Sequence, residues 1–124
     1  YFRDFMFCDS GMIPWVLLAA HVSSTGRGLK DLVADMHHKH PSSGEVNFRV
    51  ADTTAATDAI FAEYGPQATD IDRLDGLSLS FDGWRFNLRA SNTEPLLRLN
   101  VEGLNAEVVA QHAQALADRI KTLG

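Results

Sequence analysis

The chain has 124 residues, 45% of them hydrophobic and 22% charged, with a formal net charge of -5 and a pI near 5.4. That length suits one domain, or a small domain with part of another, and the composition is ordinary for a globular protein. The acidic balance argues against a nucleic-acid module, no apolar run approaches the roughly 20 residues of a membrane span, and a single cysteine, Cys8, excludes an internal disulfide.

Residues 1 to about 40 read as the end of a strand followed by two helices. The opening Tyr1-Phe2-Arg3-Asp4 lacks the organisation of a signal peptide, and one cysteine fits a reducing cytoplasm. Ile13, Val16, Leu17 and Ala20 form one helical stripe, beginning near Asp9 or Ser10, and Leu29, Leu32, Val33 and Met36 form a second after Gly26 and Gly28. Two short helices cannot bury both stripes by themselves. The pattern implies a missing sheet, or burial by self-association. His37, His38 and His40 surround Lys39 at the end of the second stripe, where cationic groups favour the helix dipole; no carboxylate or cysteine stands at ligand spacing, so no metal site is assigned. Pro41-Ser42-Ser43-Gly44 then marks a boundary by composition, dividing the chain into 1–43 and 44–124.

From Gly44 the period changes to two, with Val46, Phe48 and Val50 on one face and Glu45, Asn47 and Arg49 on the other. A helix is predicted from Thr53 to Tyr64, capped by Asp52 or Thr53, turning Ala56, Ala59 and Ile60 inward and stopped by Gly65-Pro66. Ile71 to Leu74 read as a short strand, and Asp75-Gly76 turns into Leu77, Leu79 and Phe81. Asp82-Gly83 is a two-residue hairpin signal that brings Phe81 near Trp84. The returning strand alternates Trp84, Phe86 and Leu88 against Arg85, Asn87 and Arg89; after a loop, Leu97, Leu99 and Val101 alternate against Arg98, Asn100 and Glu102. If both strands pack on one core, Arg89 and Arg98 emerge on the same polar side. A last helix, about Ala106 to Leu123, carries Val109, Ala113, Leu116, Ala117 and Ile120 at core spacing. The sum is an α+β fold, a β-α-β-β-β-β-α unit with an antiparallel sheet and both helices on one face.

The stretch from Trp84 to Arg98 holds three arginines against the one carboxylate of Glu94, a cationic island in an acidic chain. Phosphate oxygens need donors converging from several directions, and guanidinium forks, turn N–H groups and hydroxyls supply them. Arg89, Ser91, Asn92 and Thr93 offer that set within five residues. Ser91 to Glu94 also matches the S-x-x-E capping box, although Pro95 biases Glu94 away from helix. From the residues alone both readings stand, an anion-binding loop or a plain hairpin loop. His21, His112, Cys8 and the carboxylate pairs Asp70/Asp72 and Asp4/Asp9 read as surface or near-core groups. No catalytic residue is assigned within the chain.

Arg89-Ala90-Ser91-Asn92-Thr93-Glu94-Pro95, followed by Arg98, resembles the C-terminal phosphate-binding loop of the α-D-phosphohexomutases, most closely the bacterial phosphomannomutase/phosphoglucomutase group. Tyr1-Phe2-Arg3-Asp4 and Asp9-Ser10-Gly11-Met12 look like the family segment just after its sugar-recognition loop, and Pro41 to Glu45 like the junction into its last domain. The resemblance implies a TATA-box-binding-protein-like fold for 44–124, with 1–43 as the tail of a preceding α/β domain. It further implies a parent enzyme that interconverts hexose 1- and 6-phosphates through a phosphoserine, a bound Mg²⁺ and a bisphosphorylated intermediate. By the same resemblance Arg89, Ser91, Asn92 and Thr93 would grip the non-reacting phosphate, while Arg98 would touch it or brace the loop. The family's phosphoserine loop, metal loop and sugar-selecting Gly-Glu-x-Ser loop have no counterpart here. The Mg²⁺ ligands would therefore lie in missing N-terminal domains, and the fragment alone is expected to be inactive. Asn92, where glycine is common in phosphoglucosamine mutases, leans towards phosphomannomutase/phosphoglucomutase. The alternative is a free-standing phosphate- or protein-binding module; the orphaned stripes of residues 12 to 36 favour the first reading.

Overall fold

The computed structural model describes residues 1–124, which fall into two compact units, Tyr1–Met36 and His37–Gly124. In the first, the opening segment is not the strand end expected from the sequence. It makes a 3-10 turn at Arg3–Phe5 and closes on itself, the Phe2 N–H donating to the Cys8 carbonyl at 3.1 Å and the Cys8 N–H to that of Phe5 at 2.9 Å. The reversal runs through Met6 and Phe7 at φ 53° and 57°, left-handed values that bulky residues rarely adopt. Helix α1 covers Met12–Thr25 and ends at Gly26, whose φ of 64° lets its N–H reach the Val22 carbonyl at 3.0 Å. Helix α2 covers Leu29–Lys39. Neither helix contains a buried residue: Val16, Leu17, Leu29, Val33 and Met36 are exposed, and only Ile13, Val22 and Leu32 are half-buried.

The second unit is built on one antiparallel sheet. Its strands are β1 Val46–Arg49, β2 Asp70–Asp72, β3 Leu77–Phe81, β4 Trp84–Ala90 and β5 Leu96–Gly103, in the order β1-β5-β4-β3-β2. Strand β1 pairs not with its sequence neighbour but with β5, Val46 opposite Leu99 and Arg49 opposite Leu96. Helix α3, Thr53–Tyr64, starts where an Asp52 carboxylate oxygen accepts the N–H groups of Thr54 and Ala55, each at 2.9 Å, and it stops at Gly65-Pro66. Strand β2 starts one residue earlier than the alternation suggested and ends two earlier, where Asp72 accepts the Leu74 N–H at 2.8 Å and bends the chain out of the ladder. The Asp82-Gly83 turn, with Gly83 at φ 82°, pairs Phe81 with Trp84. Helix α4, Ala106–Lys121, is capped by Asn105, which accepts the Val108 N–H at 2.9 Å.

One face of this sheet makes the core. Phe48, Leu77, Leu79, Phe86, Leu88, Leu97, Leu99 and Val101 pack against Ala56 and Ile60 of α3 and Val109, Leu116 and Ile120 of α4. Each such large side chain removed from water contributes about 1.5–3 kcal/mol. A closed ion pair joins the two helices, Arg119 Nε to Glu63 Oε2 at 2.7 Å. The unit is thus the α+β arrangement read from the sequence, with both helices on one face. At the hairpin end, Phe81 stacks on Trp84 at 4.2 Å between centroids and 9° between planes, and His112 of α4 stacks on the same indole at 3.7 Å and 3°. Two rings this close cannot share one side of an indole, so Trp84 is sandwiched, and burial lowers the pKa of His112 below its ordinary value. The other face of the sheet carries the polar partners of the alternation, among them Arg85, Asn87, Arg89, Arg98 and Asn100.

Candidate anion site at the β4–β5 loop

The antiparallel register puts Arg89 of β4 directly opposite Arg98 of β5. Like charges facing each other across a ladder repel, so the pair needs counter-charge. Two carboxylates supply it. Glu45 Oε2 lies 3.6 Å from Arg89 Nη2 and 3.7 Å from Arg98 Nη1, and Asp75 Oδ2 lies 3.3 Å from Arg89 Nη1. These contacts are long for charged hydrogen bonds, which close to about 2.7–2.9 Å. The two guanidinium side chains stay 39% and 32% exposed, open enough for a solute to reach. Arg98 Nη2 donates to Ser91 Oγ at 3.5 Å, while Arg98 Nε is buried without a hydrogen-bond partner.

The loop itself is closed at its base by the Ser91 N–H donating to the Leu96 carbonyl at 2.8 Å. Inside it, the Leu96 N–H turns back to the Glu94 carbonyl at 2.7 Å around Pro95, and the Thr93 N–H approaches Ser91 Oγ at 3.5 Å. No helix starts here; β5 begins at Leu96, so the capping-box reading of Ser91 to Glu94 gives way to a turn. Arg89, Ser91 and Arg98 are brought together at the loop's foot, and Asn92 and Thr93 sit exposed on its outer part.

Sequence reading missed Glu45 and Asp75 as partners of the arginines. Glu45 arrives because β1 adds to the sheet beside β5, a pairing that no local pattern announces. Asp75 arrives through Gly76, whose φ is 79°: a Cβ there would stand 2.6 Å from both the Leu88 carbonyl oxygen and Arg89 Cβ. Only glycine lets the turn lie on the Arg89 backbone. The Asn87 amide fixes that turn, donating to the Asp75 carbonyl at 2.8 Å and to Ser78 Oγ at 3.0 Å. Glu45, Asp75, Asn87, Arg89, Arg98 and Asn100 border a concavity of about 390 Å³. The guanidinium donors of Arg89 and Arg98 in it can hold a small oxyanion, for which Glu45 and Asp75 compete.

The remaining candidates are not among the residues that border it. His37 and His38 lie in the last turn of α2 and His40 just beyond, and no three His, Cys, Asp or Glu side chains are grouped to hold a metal ion. Cys8 is free and exposed, and Asp70 and Asp72 flank Ile71 on an exposed strand. No helix is long and apolar enough to cross a membrane.

Residues 45–119 match the family described as phosphoglucomutase/phosphomannomutase, C-terminal domain. A protein of Xanthomonas campestris pv. campestris (strain B100) called phosphohexose mutases is 58% identical over 102 residues, 82% of this chain and 23% of that protein. The phosphomannomutase of Salmonella montevideo is 55% identical over the same length, and that of Vibrio cholerae serotype O1 is 43% identical over 125 residues, 99% of this chain and 27% of its own. The chain therefore spans about a quarter of the curated relatives it matches. Among solved structures, a phosphoglucomutase/phosphomannomutase family protein from Burkholderia thailandensis superposes with a TM-score of 0.52 at 20% identity, over 66% of this chain and 17% of that one, a likeness of fold.

Proposed function

We propose a function from one premise: the chain belongs to the phosphoglucomutase/phosphomannomutase family, its residues 45–119 corresponding to that family's C-terminal domain. In this reading the 124 residues are the C-terminal part of a longer phosphohexomutase, which interconverts hexose 1-phosphate and hexose 6-phosphate through a phosphoserine and a bisphosphorylated intermediate. The domain's task is to hold whichever substrate phosphate is not reacting. Residues 1 to 43 are the tail of the preceding α/β domain, and the fragment alone does not turn over substrate.

The observation that carries the reading is the opposed pair Arg89 and Arg98 beneath a hydroxyl-bearing loop, neutralised only by long contacts and leaving a buried Nε–H without an acceptor. A phosphate between the two guanidiniums would bring counter-charge closer than these long contacts do. The side chains of Ser91, Asn92 and Thr93 add donors from the loop. An intermediate that reorients between half-reactions presents a phosphate on C1 or on C6 in turn, and a loop that grips only phosphate oxygens serves both. Its contribution is electrostatic positioning, not proton transfer. In this reading the Mg²⁺ that the chemistry uses would be held by the part of the parent enzyme outside these residues.

Arg89→Ala in the full-length enzyme is expected to lower kcat/KM by about 30- to 1000-fold, as for loss of one preorganised donor. In the 124-residue chain, titration with inorganic phosphate is expected to shift amide signals from Arg89 to Thr93. Unaltered efficiency, or shifts centred on His37 to His40, would overturn the reading.

A further inference from the structure

We propose that Glu45 is a built-in occupant of the anion position, holding the two arginines in register while the site is empty and giving way when phosphate enters. The inference rests on the phosphate reading of the loop and adds a competitor to it.

Glu45 Oε2 faces both guanidiniums, at 3.6 Å and 3.7 Å, which is the place a phosphate oxygen bridging Arg89 and Arg98 would take. It does so by charge, without closing a hydrogen bond. The contrast lies in the same chain, where Arg119 with Glu63 and Arg27 with Asp35 close to 2.7 Å. The Glu45 side chain is 44% exposed, and it stands before the first residue of β1, outside the paired strand. It therefore has room to swing out. The charges lead the same way. Arg89 and Arg98 against Glu45 and Asp75 sum to zero, so a phosphate entering the filled cluster meets no net attraction, whereas withdrawal of Glu45 uncovers a positive charge. A phosphate held against such a competitor is held weakly by construction. Weak holding suits an intermediate that must let go and turn round between half-reactions.

Inorganic phosphate is titrated into the 124-residue chain and its E45Q, E45D and R89A variants, following the loop amides and the arginine Nε–H signals. Unchanged core signals from Phe86 and Leu99 establish that each variant is folded. E45Q is expected to bind about fivefold more tightly at low salt, the worth of one unit charge at about 4 Å in a water-like medium. The gain should shrink as ionic strength rises, and E45D should fall between E45Q and the parent chain. Equal or weaker binding by E45Q, with R89A still abolishing binding, would make Glu45 a brace and overturn the inference while leaving the phosphate site intact. Phosphate binding that survives R89A would overturn the site and the inference together.

Discussion

Helices α1 and α4 are similar in length, 14 and 16 residues, and opposite in how they use their apolar side chains. In α1, Met12, Ile13, Trp15, Val16, Leu17, Leu18 and Val22 surround the axis, and not one is buried. In α4 the apolar residues form a stripe, and Val109, Leu116 and Ile120 are buried against the sheet. Hydrophobic content alone does not make a core; it needs a complementary surface at the right spacing. A helix apolar on all sides is one made for burial on all sides. Within the proposed function, what buries α1 is the sheet of a domain outside these residues.

The contrast can be broken most directly in the core. Phe86→Ala and Leu99→Ala should each destabilise residues 37–124 by about 2–5 kcal/mol in urea unfolding, whereas Leu17→Ala in α1 should change that stability by less than about 0.5 kcal/mol. A loss at Leu17 comparable with that at Leu99 would erase the distinction between the units. Gly76→Ala sharpens the comparison at the site. The strained φ and the 2.6 Å approaches should cost about 1–3 kcal/mol and displace Asp75 from Arg89, seen as a moved Arg89 Nε–H signal. The smallest effect concerns pH. Burial lowers the folded-state pKa of His112 below its unfolded value, so between the two the unfolded chain binds more protons. The stabilisation from the neutral ring is complete above the ordinary histidine range and is lost as pH falls through that range towards the lowered value. His112→Gln should flatten that part of the stability-against-pH curve measured by urea unfolding.

Most of the second unit was legible because its signals are local. Asp52, Gly65-Pro66, Asp82-Gly83 and the alternations from Trp84 to Arg89 and from Leu97 to Glu102 each fix a turn, a cap or a face within a few residues. Arg89 and Arg98 were legible as same-face residues for the same reason. Their counter-ions were not: Glu45 lies 44 residues before Arg89, and only the non-sequential β1–β5 pairing joins them. Nor did Gly76 declare its close approach to Arg89, since a turn signal names a bend and not what the bend lies against. The opening segment misled because Tyr1 to Phe7 is rich in strand-forming aromatics, yet no second strand lies beside it to pair with. The chain reverses through Met6 and Phe7 instead.

The sandwich around Trp84 has an optical consequence. The chain contains two tryptophans, one in each unit: Trp15, 63% exposed on α1, and Trp84, clasped between Phe81 and His112. An exposed indole emits to the red and is open to collisional quenchers. One stacked on imidazole is shielded from them, and its brightness follows the protonation of its neighbour. The molecule thus carries its own pair of fluorophores, one reporting what covers α1 and the other the state of the sheet domain.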